Sequence, residues 1–286
     1  MARSTRAAGA ATGSARLSRC LPWLLLAPLI GLAATGCDSR PEAPPASPAS
    51  GRPIRIVALG DSTTEAGWEG NAKTVYAERL AAGLEARGVE VEMINAGLSN
   101  TTSLQAVARL DRDVRRYTPD YVIVQFGIND SWIDVNLGRT APRLTLEQYA
   151  DSLRSIIDTL RSDGARPILM TPNPMRWSEL YGNELRDPVL GFDFDDPRGI
   201  NRLLDIYAER AREVARQENV PMVDVLARFE AYGRVPGQDV RDLLITNDDI
   251  HPNDAGHALI AEWLLEVILA ELAADRTASP GPADAP

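Results

Sequence analysis

The chain has 286 residues, 44% hydrophobic and 24% charged, and its 30 basic against 40 acidic residues give a net charge of −10. That balance argues against DNA or RNA as the main partner, because phosphate recognition calls for clustered Lys and Arg. With only two cysteines, Cys20 and Cys37, and two histidines, His251 and His257, neither a disulfide scaffold nor a Cys-based zinc site is available.

Residues 1–36 read as an export signal that the mature protein lacks. Arg3, Arg6, Arg16 and Arg19 precede the apolar run Leu21–Ala34, and Thr35-Gly36-Cys37 supplies the small-residue end, the three parts of a secretory signal. The run is short and holds Pro22 and Pro28, which disfavours a membrane-spanning helix. Ala34-Thr35-Gly36-Cys37 also resembles the bacterial lipoprotein signal, in which the cysteine is lipidated and becomes the new N-terminus; Ala34 stands where a large aliphatic residue is usual. The expectation is an exported lipoprotein, membrane-anchored at Cys37 and facing the periplasm or the cell surface. A soluble secreted protein and an uncleaved anchor are the other outcomes. Cys20 falls in the discarded segment.

Residues 37–52, rich in Pro, Ala and Ser, cannot bury a core and read as an extended tether. Residues 275–286 (DRTASPGPADAP) have the same character and read as a disordered tail. Length allows one domain or at most two, and the folded domain is expected over residues 53–274.

Within it strands and helices alternate. Ile54–Leu59 is a β-branched apolar run ending at Gly60, a buried-strand signature. Lys73–Arg87 has helical spacing and stops before Gly88. A strand is expected over Val89–Ile94, a helix over Ser103–Arg116 and a third strand over Tyr121–Phe126. A helix over Leu146–Ser162, a strand over Pro167–Met170, a helix over Asn201–Glu218, a strand over Met222–Val225 and a final helix over Ala255–Ala273 follow. Such alternation predicts βαβ units and a mainly parallel sheet covered by helices on both faces. In such sheets a ligand sits outside the carboxyl ends of the strands, at a switch point.

Polar clusters fall where that rule puts them: Gly60-Asp61-Ser62-Thr63-Thr64 after strand one, Asn95-Ala96-Gly97 at strand two, Gly127-Ile128-Asn129-Asp130 after strand three, and Asn247–Asn253 near the C-terminus. A serine hydroxyl needs a base to take its proton, and His251 is the available one. An imidazole in turn needs a carboxylate to fix its tautomer and stabilise its cation. The oxyanion formed on attack needs preorganised N–H donors: Gly97 can offer a backbone N–H, Asn129 a side-chain amide, and Ser62 its own N–H at the entry to the next helix.

These residues resemble the GDSL, or SGNH, hydrolase family. Its first block matches Gly60-Asp61-Ser62, with Thr63 in place of Leu; its second-block glycine falls on Gly97; its G-x-N-D falls on Gly127, Asn129 and Asp130; its D-x-x-H-P falls on Asp248, His251 and Pro252. The resemblance implies a flavodoxin-like three-layer α/β/α sandwich and ester hydrolysis through an acyl-serine, with Ser62, Asp248 and His251 catalytic, Ser62, Gly97 and Asn129 in the oxyanion hole, and no metal or cofactor. Asp248 is preferred to Asp249 because the motif counts back three from His251. Asp61 reads as a loop brace, Asp130 as a loop organiser and His257 as a packing residue.

Other readings have less support. The elbow G-x-S-x-G is absent, as are the phosphate cradles G-x-x-x-x-G-K-[ST] and G-x-G-x-x-G. An inactive surface-tethered carbohydrate-binding protein is disfavoured by the presence of both Ser62 and His251. A lysophospholipase, a thioesterase or an acyltransferase on the same residues stays open. Trp68, Trp132 and Trp177 lie just beyond predicted strand ends, where indoles can stack on sugars or line an acyl pocket. The long segment Asn173–Pro197 is a candidate rim or lid. Its six acidic residues against Arg176 and Arg186 would repel a polyanion. A neutral acylated carbohydrate or other small ester is the expected substrate.

Overall fold

The computed structural model describes residues 51–67, 72–178, 195–196 and 198–278. The export segment, Cys37, nearly all of the tether, Trp68 and most of the expected rim lie outside the described residues.

Five parallel strands form one sheet in the order β2-β1-β3-β4-β5: β1 (Ile54–Gly60), β2 (Val91–Gly97), β3 (Tyr121–Gln125), β4 (Arg166–Met170) and β5 (Met222–Val223). This is the flavodoxin-like order, which has its switch point between β1 and β3. Among the described residues the α-helices are α1 (Tyr76–Glu85), α2 (Ser103–Asp113), α3 (Ile128–Ser131), α4 (Leu146–Ser162), α5 (Arg202–Gln217), α6 (Val225–Tyr232) and α7 (Asp254–Ala278). None of them is long and apolar enough to cross a membrane.

Strand β1 shows why the layers form. Ile54, Ile56 and Ala58 pack with Leu80 and Leu84 of α1, Phe229 of α6 and Ile260, Leu264 and Ile268 of α7. Val57 and Leu59 face the other way, among Leu110 of α2, Ile156 and Ile157 of α4 and Val214 of α5. A strand apolar on both faces needs cover on both, and the result is the expected α/β/α sandwich.

Element boundaries move for local reasons. Helix α1 starts at Tyr76, three residues later than the spacing suggests, because Val75 is still extended (ψ 168°). Strand β2 runs on to Gly97, beyond the expected Ile94, because it keeps pairing with β1 as far as Gly60. The last strand is only two residues long. Asp224, expected inside it, instead accepts the Ala227 N–H (3.1 Å) as the cap of α6, and the Arg212 guanidinium grips its two oxygens at 2.7 and 3.0 Å. Helix α7 passes the expected domain end at Ala274 and reaches Ala278, because Asp275 pairs with Arg166 and accepts the Tyr121 hydroxyl at 3.1 Å. The first residues of the expected tail are therefore helical.

The carboxyl ends of β1 and β2 are tied down by one side chain. Arg109, buried in α2, donates to Gly60 O (2.8 Å), Ala96 O (2.8 Å) and Asp113 Oδ2 (2.9 Å). Arg109→Met should destabilise the fold by about 1–3 kcal/mol, since it removes three hydrogen bonds of a buried guanidinium while Asp113 keeps Arg112 and Gly60 O keeps the Leu98 N–H. Chemical denaturation checks this, and an unchanged midpoint would show that water replaces the guanidinium.

Candidate active site

Three strand ends stop level with one another: Gly60 is in register with Gly97 on one side and Gln125 on the other. The chain after Gly60 makes a tight turn in which Thr64 N and Glu65 N donate to Asp61 O (3.1 and 3.0 Å). Ser62 sits in that turn. The next helix does not begin until Tyr76, so Ser62 is not at a helix entry as expected, and no helix dipole acts on its N–H.

The turn folds back onto the sheet so closely that only glycine fits beneath it. A Cβ on Gly60 would lie 2.0 Å from Thr64 Oγ1, and one on Gly97 2.2 Å from Glu65 N. This corrects the sequence reading of Gly97. Its N–H already donates to Asn95 Oδ1 (2.9 Å), and it does not line the cavity at Ser62. Its glycine is required by packing, not by an oxyanion. Asn100, three residues on, does line that cavity and holds a left-handed backbone (φ 60°), which asparagine tolerates better than most residues. Among the described residues its N–H meets no acceptor.

Ser62 Oγ lies 2.8 Å from His251 Nε2, and His251 Nδ1 lies 2.9 Å from Asp248 Oδ2. The three-residue spacing lets the same carboxylate oxygen accept the backbone N–H of His251 at 2.6 Å. Asn247 and Asp249 flank it with left-handed backbones (φ 69° and 55°). Burial pushes the Asp248 carboxyl up, but the His251 imidazole and the backbone N–H groups outweigh it and hold the group below its ordinary value. A hydroxyl, an imidazole and an ionised carboxylate in hydrogen-bond series can move a proton off the hydroxyl.

Asn129, in the first turn of α3, is buried and held from both ends. Its Oδ1 accepts from Arg143 Nη1 (3.1 Å) and its Nδ2 donates toward Asp61 Oδ2 (3.4 Å). Arginine can only donate, so the amide orientation is fixed, with one Nδ2 hydrogen left for a ligand. Asp61 also accepts the Thr63 N–H (3.0 Å). Its complete burial pushes its carboxyl up to about 7, against the lowering effect of the Thr63 N–H and the His251 charge. Asp130, buried beside it, accepts Ser103 N (2.9 Å) and Ser103 Oγ (2.5 Å) at the start of α2. Desolvation pushes it up to about 6. Both thus brace loops, as expected.

The cavity at Ser62 measures about 380 Å³ and is bordered by Ile128, Trp132, Ile250, Asn100, Asn129 and Arg143, among others. Of the two expected aromatic contacts among the described residues, Trp132 is there and Trp177 is not. Trp177 packs against the apolar cluster that holds Ile128, Ile200, Leu204 and Ile250 and donates Nε1–H to Asp196 O (2.9 Å), without lining the cavity. His257 is fully buried, accepts the Tyr76 N–H (3.2 Å) and is held down to about 3 by desolvation, so it stays neutral. Among the described residues no cluster of three or more His, Cys, Asp or Glu could hold a metal ion.

Besides Asn100, two residues escaped the sequence reading. Arg143 binds Asp134 through both oxygens (2.9 and 2.7 Å), Asn100 Oδ1 (2.6 Å) and Asn129. Its hydrogen bond holds the Asp134 carboxyl below its ordinary value. No spacing rule announces such an arginine. Asn173 was findable, since it follows the end of β4, where the strand-end rule points. Its Oδ1 accepts from Thr63 Oγ1 (3.2 Å) and its Nδ2 donates to Ile250 O (2.7 Å), joining the serine turn to the histidine loop.

Residues 58–259 match the model of the GDSL-like lipase/acylhydrolase family. The chain belongs to that family. It is a carboxylic ester hydrolase of the GDSL type. It is 28% identical over 225 residues to an acetylxylan esterase of Geobacillus stearothermophilus, covering 75% of this chain and 93% of that one. It is 27% identical over 205 residues to an uncharacterized lipoprotein of Bacillus subtilis strain 168, covering 69% and 80% of the two. The fold of this GDSL hydrolase matches the crystal structure of a lipase/acylhydrolase from Enterococcus faecalis with a TM-score of 0.59 at 24% identity, over 76% of this chain and 96% of that one.

Asn173→Ala should lower kcat for p-nitrophenyl acetate by about 100-fold with KM nearly unchanged, because it loosens the Ser62–His251 geometry and not the cavity wall. Wild-type kcat in this variant would mean the two loops keep their spacing without the bridge.

Proposed function

We propose that this GDSL hydrolase removes short acyl groups, acetyl above all, from a carbohydrate through an acyl-serine on Ser62. The observation that carries the mechanism is the series Ser62 Oγ–His251 Nε2–Asp248, at 2.8 and 2.9 Å. His251 takes the Ser62 proton as Oγ attacks the ester carbonyl, and Asp248 stabilises the imidazolium. The tetrahedral oxyanion is met by Ser62 N–H, Asn129 Nδ2–H and Asn100 N–H, which takes the place first assigned to Gly97. Collapse expels the alcohol, which leaves with the proton from His251. Water, deprotonated by the same imidazole, then attacks the acyl-serine, and the acid departs as Ser62 Oγ regains its proton.

The preference for a short acyl group is supported by the small cavity, whose apolar border at Ile128, Ile250 and Trp132 is interrupted by Asn100, Asn129 and Arg143. The preference for a sugar alcohol is supported by the relative named an acetylxylan esterase.

Ser62→Ala should lower kcat for p-nitrophenyl acetate by about 10⁴-fold or more while leaving the thermal midpoint in place. Fluorophosphonate should label Ser62, as read by mass spectrometry. A Ser62→Ala enzyme with near wild-type turnover would remove Ser62 as nucleophile.

The same reading places the enzyme outside the cytoplasm on a lipid anchor at Cys37. It is supported by the order of arginines, apolar run and Gly36-Cys37, and by the lipoprotein relative. The two or three acyl chains of a bacterial lipoprotein anchor stably where one would not. Cys37→Ala should release the domain to the soluble fraction or leave an unprocessed precursor. A variant that fractionates and migrates as wild type would refute the anchor.

A further inference from the structure

We infer that the alcohol part of the substrate is a chain of at least two sugar rings, and that its distal ring occupies a binding basin beyond Arg143, outside the cavity at Ser62. This rests on the acetyl-ester reading above and extends it.

The Arg143–Asp134 pair stands between the serine cavity and a neighbouring basin. Asn100, Asp134, Asn136 and Arg143 border both the serine cavity and a second, more open basin of about 660 Å³. Both volumes fall within the roughly 300–1,000 Å³ of ordinary ligand sites. The far side of the basin is formed by the first turn of α2, with Leu104, and by Leu137, just before the Gly138 turn. Leu104 is 49% exposed and Leu137 72% exposed. Single exposed leucines need no explanation. Here two of them border one depression that shares four lining residues with the reactive cavity.

The chemistry of the lining selects the occupant. Arg143 and Asp134 are locked together by two hydrogen bonds, and Arg143 is held further by Asn100 and Asn129, so the donors and acceptors between the two basins are fixed before any ligand arrives. Each Asp134 oxygen keeps a lone pair for a hydroxyl. Fixed polar groups beside aliphatic side chains suit a pyranose, which offers hydroxyls at its rim and C–H groups on its face. An alkyl chain laid over the same surface would desolvate Asp134, Asn136 and Arg143 without replacing their hydrogen bonds. The acyl group is already accommodated beside Ser62, where Ile128 and Ile250 are the apolar neighbours. The second basin is therefore left to the alcohol side of the ester.

The test compares acetylated xylose with acetylated xylotetraose, using the full exported chain and the double variant Leu104→Asp/Leu137→Asp. The wild type should show kcat/KM about tenfold higher or more for the tetramer, carried mainly by KM. The double variant should lose that advantage while keeping p-nitrophenyl acetate turnover within about twofold, a rate that also reports an intact fold. Equal KM for monomer and tetramer in the wild type, or an advantage that survives both substitutions, would overturn the inference. So would a preference for p-nitrophenyl dodecanoate over the acetate that the double variant abolishes, since the basin would then hold the acyl chain. Failure of the acetyl-ester reading looks different: neither acetylated sugar is turned over, whereas esters of other acids are. Calorimetry of unacetylated xylotetraose on Ser62→Ala then tests the basin without turnover. Binding lost on adding the two substitutions supports it, and no binding overturns it.

Discussion

Everything at the functional end of this molecule depends on a matter of register. Parallel strands β2, β1 and β3 end side by side, with Gly60 level with Gly97 and with Gln125. Their three following loops therefore leave the sheet at one height. A shift of one residue in β1 would move Ser62 along the strand by about 3.3 Å and turn its apolar residues to the opposite faces. The apolar contacts on both faces of β1 forbid that shift, so the same burial that makes the core also levels the loops. Arg109 completes the arrangement by binding the strand-end carbonyls of Gly60 and Ala96 together.

On that platform the reactive groups are placed by side chains that do not react. Asp61 holds the serine turn and reaches Asn129, Arg143 sets the orientation of the Asn129 amide, and Asn173 spans from the serine turn to the histidine loop. Each is fastened to more than one element. Ser62, Asn100, Asp248 and His251 sit on loops, where backbone alone would leave them free to wander. Preorganisation of this sort is what lets hydrogen-bond donors stabilise developing charge without first having to reorient.

Much of this was legible in the sequence. The alternation of apolar runs and helical spacings specified the sandwich. The D-x-x-H spacing of Asp248 and His251 carried its own geometry, since an aspartate three residues back can reach the backbone and the ring of the same histidine. Gly97 misled because a glycine at a strand end has two explanations, a donor N–H or a close approach, and sequence does not choose between them. The short β5 was overestimated because Asp224 serves a helix start that only the Arg212 pairing reveals. Arg143 and Asn173 act across 14 and 110 residues of chain on their partners Asn129 and Thr63, and contacts of that kind leave no periodic trace. Trp132 and Trp177 occupy similar places in the sequence, yet only one faces the cavity, because the hydrogen bond to Asp196 holds the other elsewhere.

The buried carboxyls at this edge also couple folding to protons. Burial raises Asp61 to about 7 and Asp130 to about 6, against 3.8 for either group free of the fold. Between those limits the unfolded chain has released protons that the folded chain keeps, so folding in mildly acidic solution takes protons up. Their contribution to stability is whole below the unfolded value and drains away as the pH climbs through 6 and 7. Asp248 runs the other way. Its lowered folded value adds stability above the ordinary carboxylate range and surrenders it on acidification. The serine edge is thus loosened by acid through the carboxylate that serves His251, and by approach to neutrality through the two that brace the loops around Ser62 and Asn129.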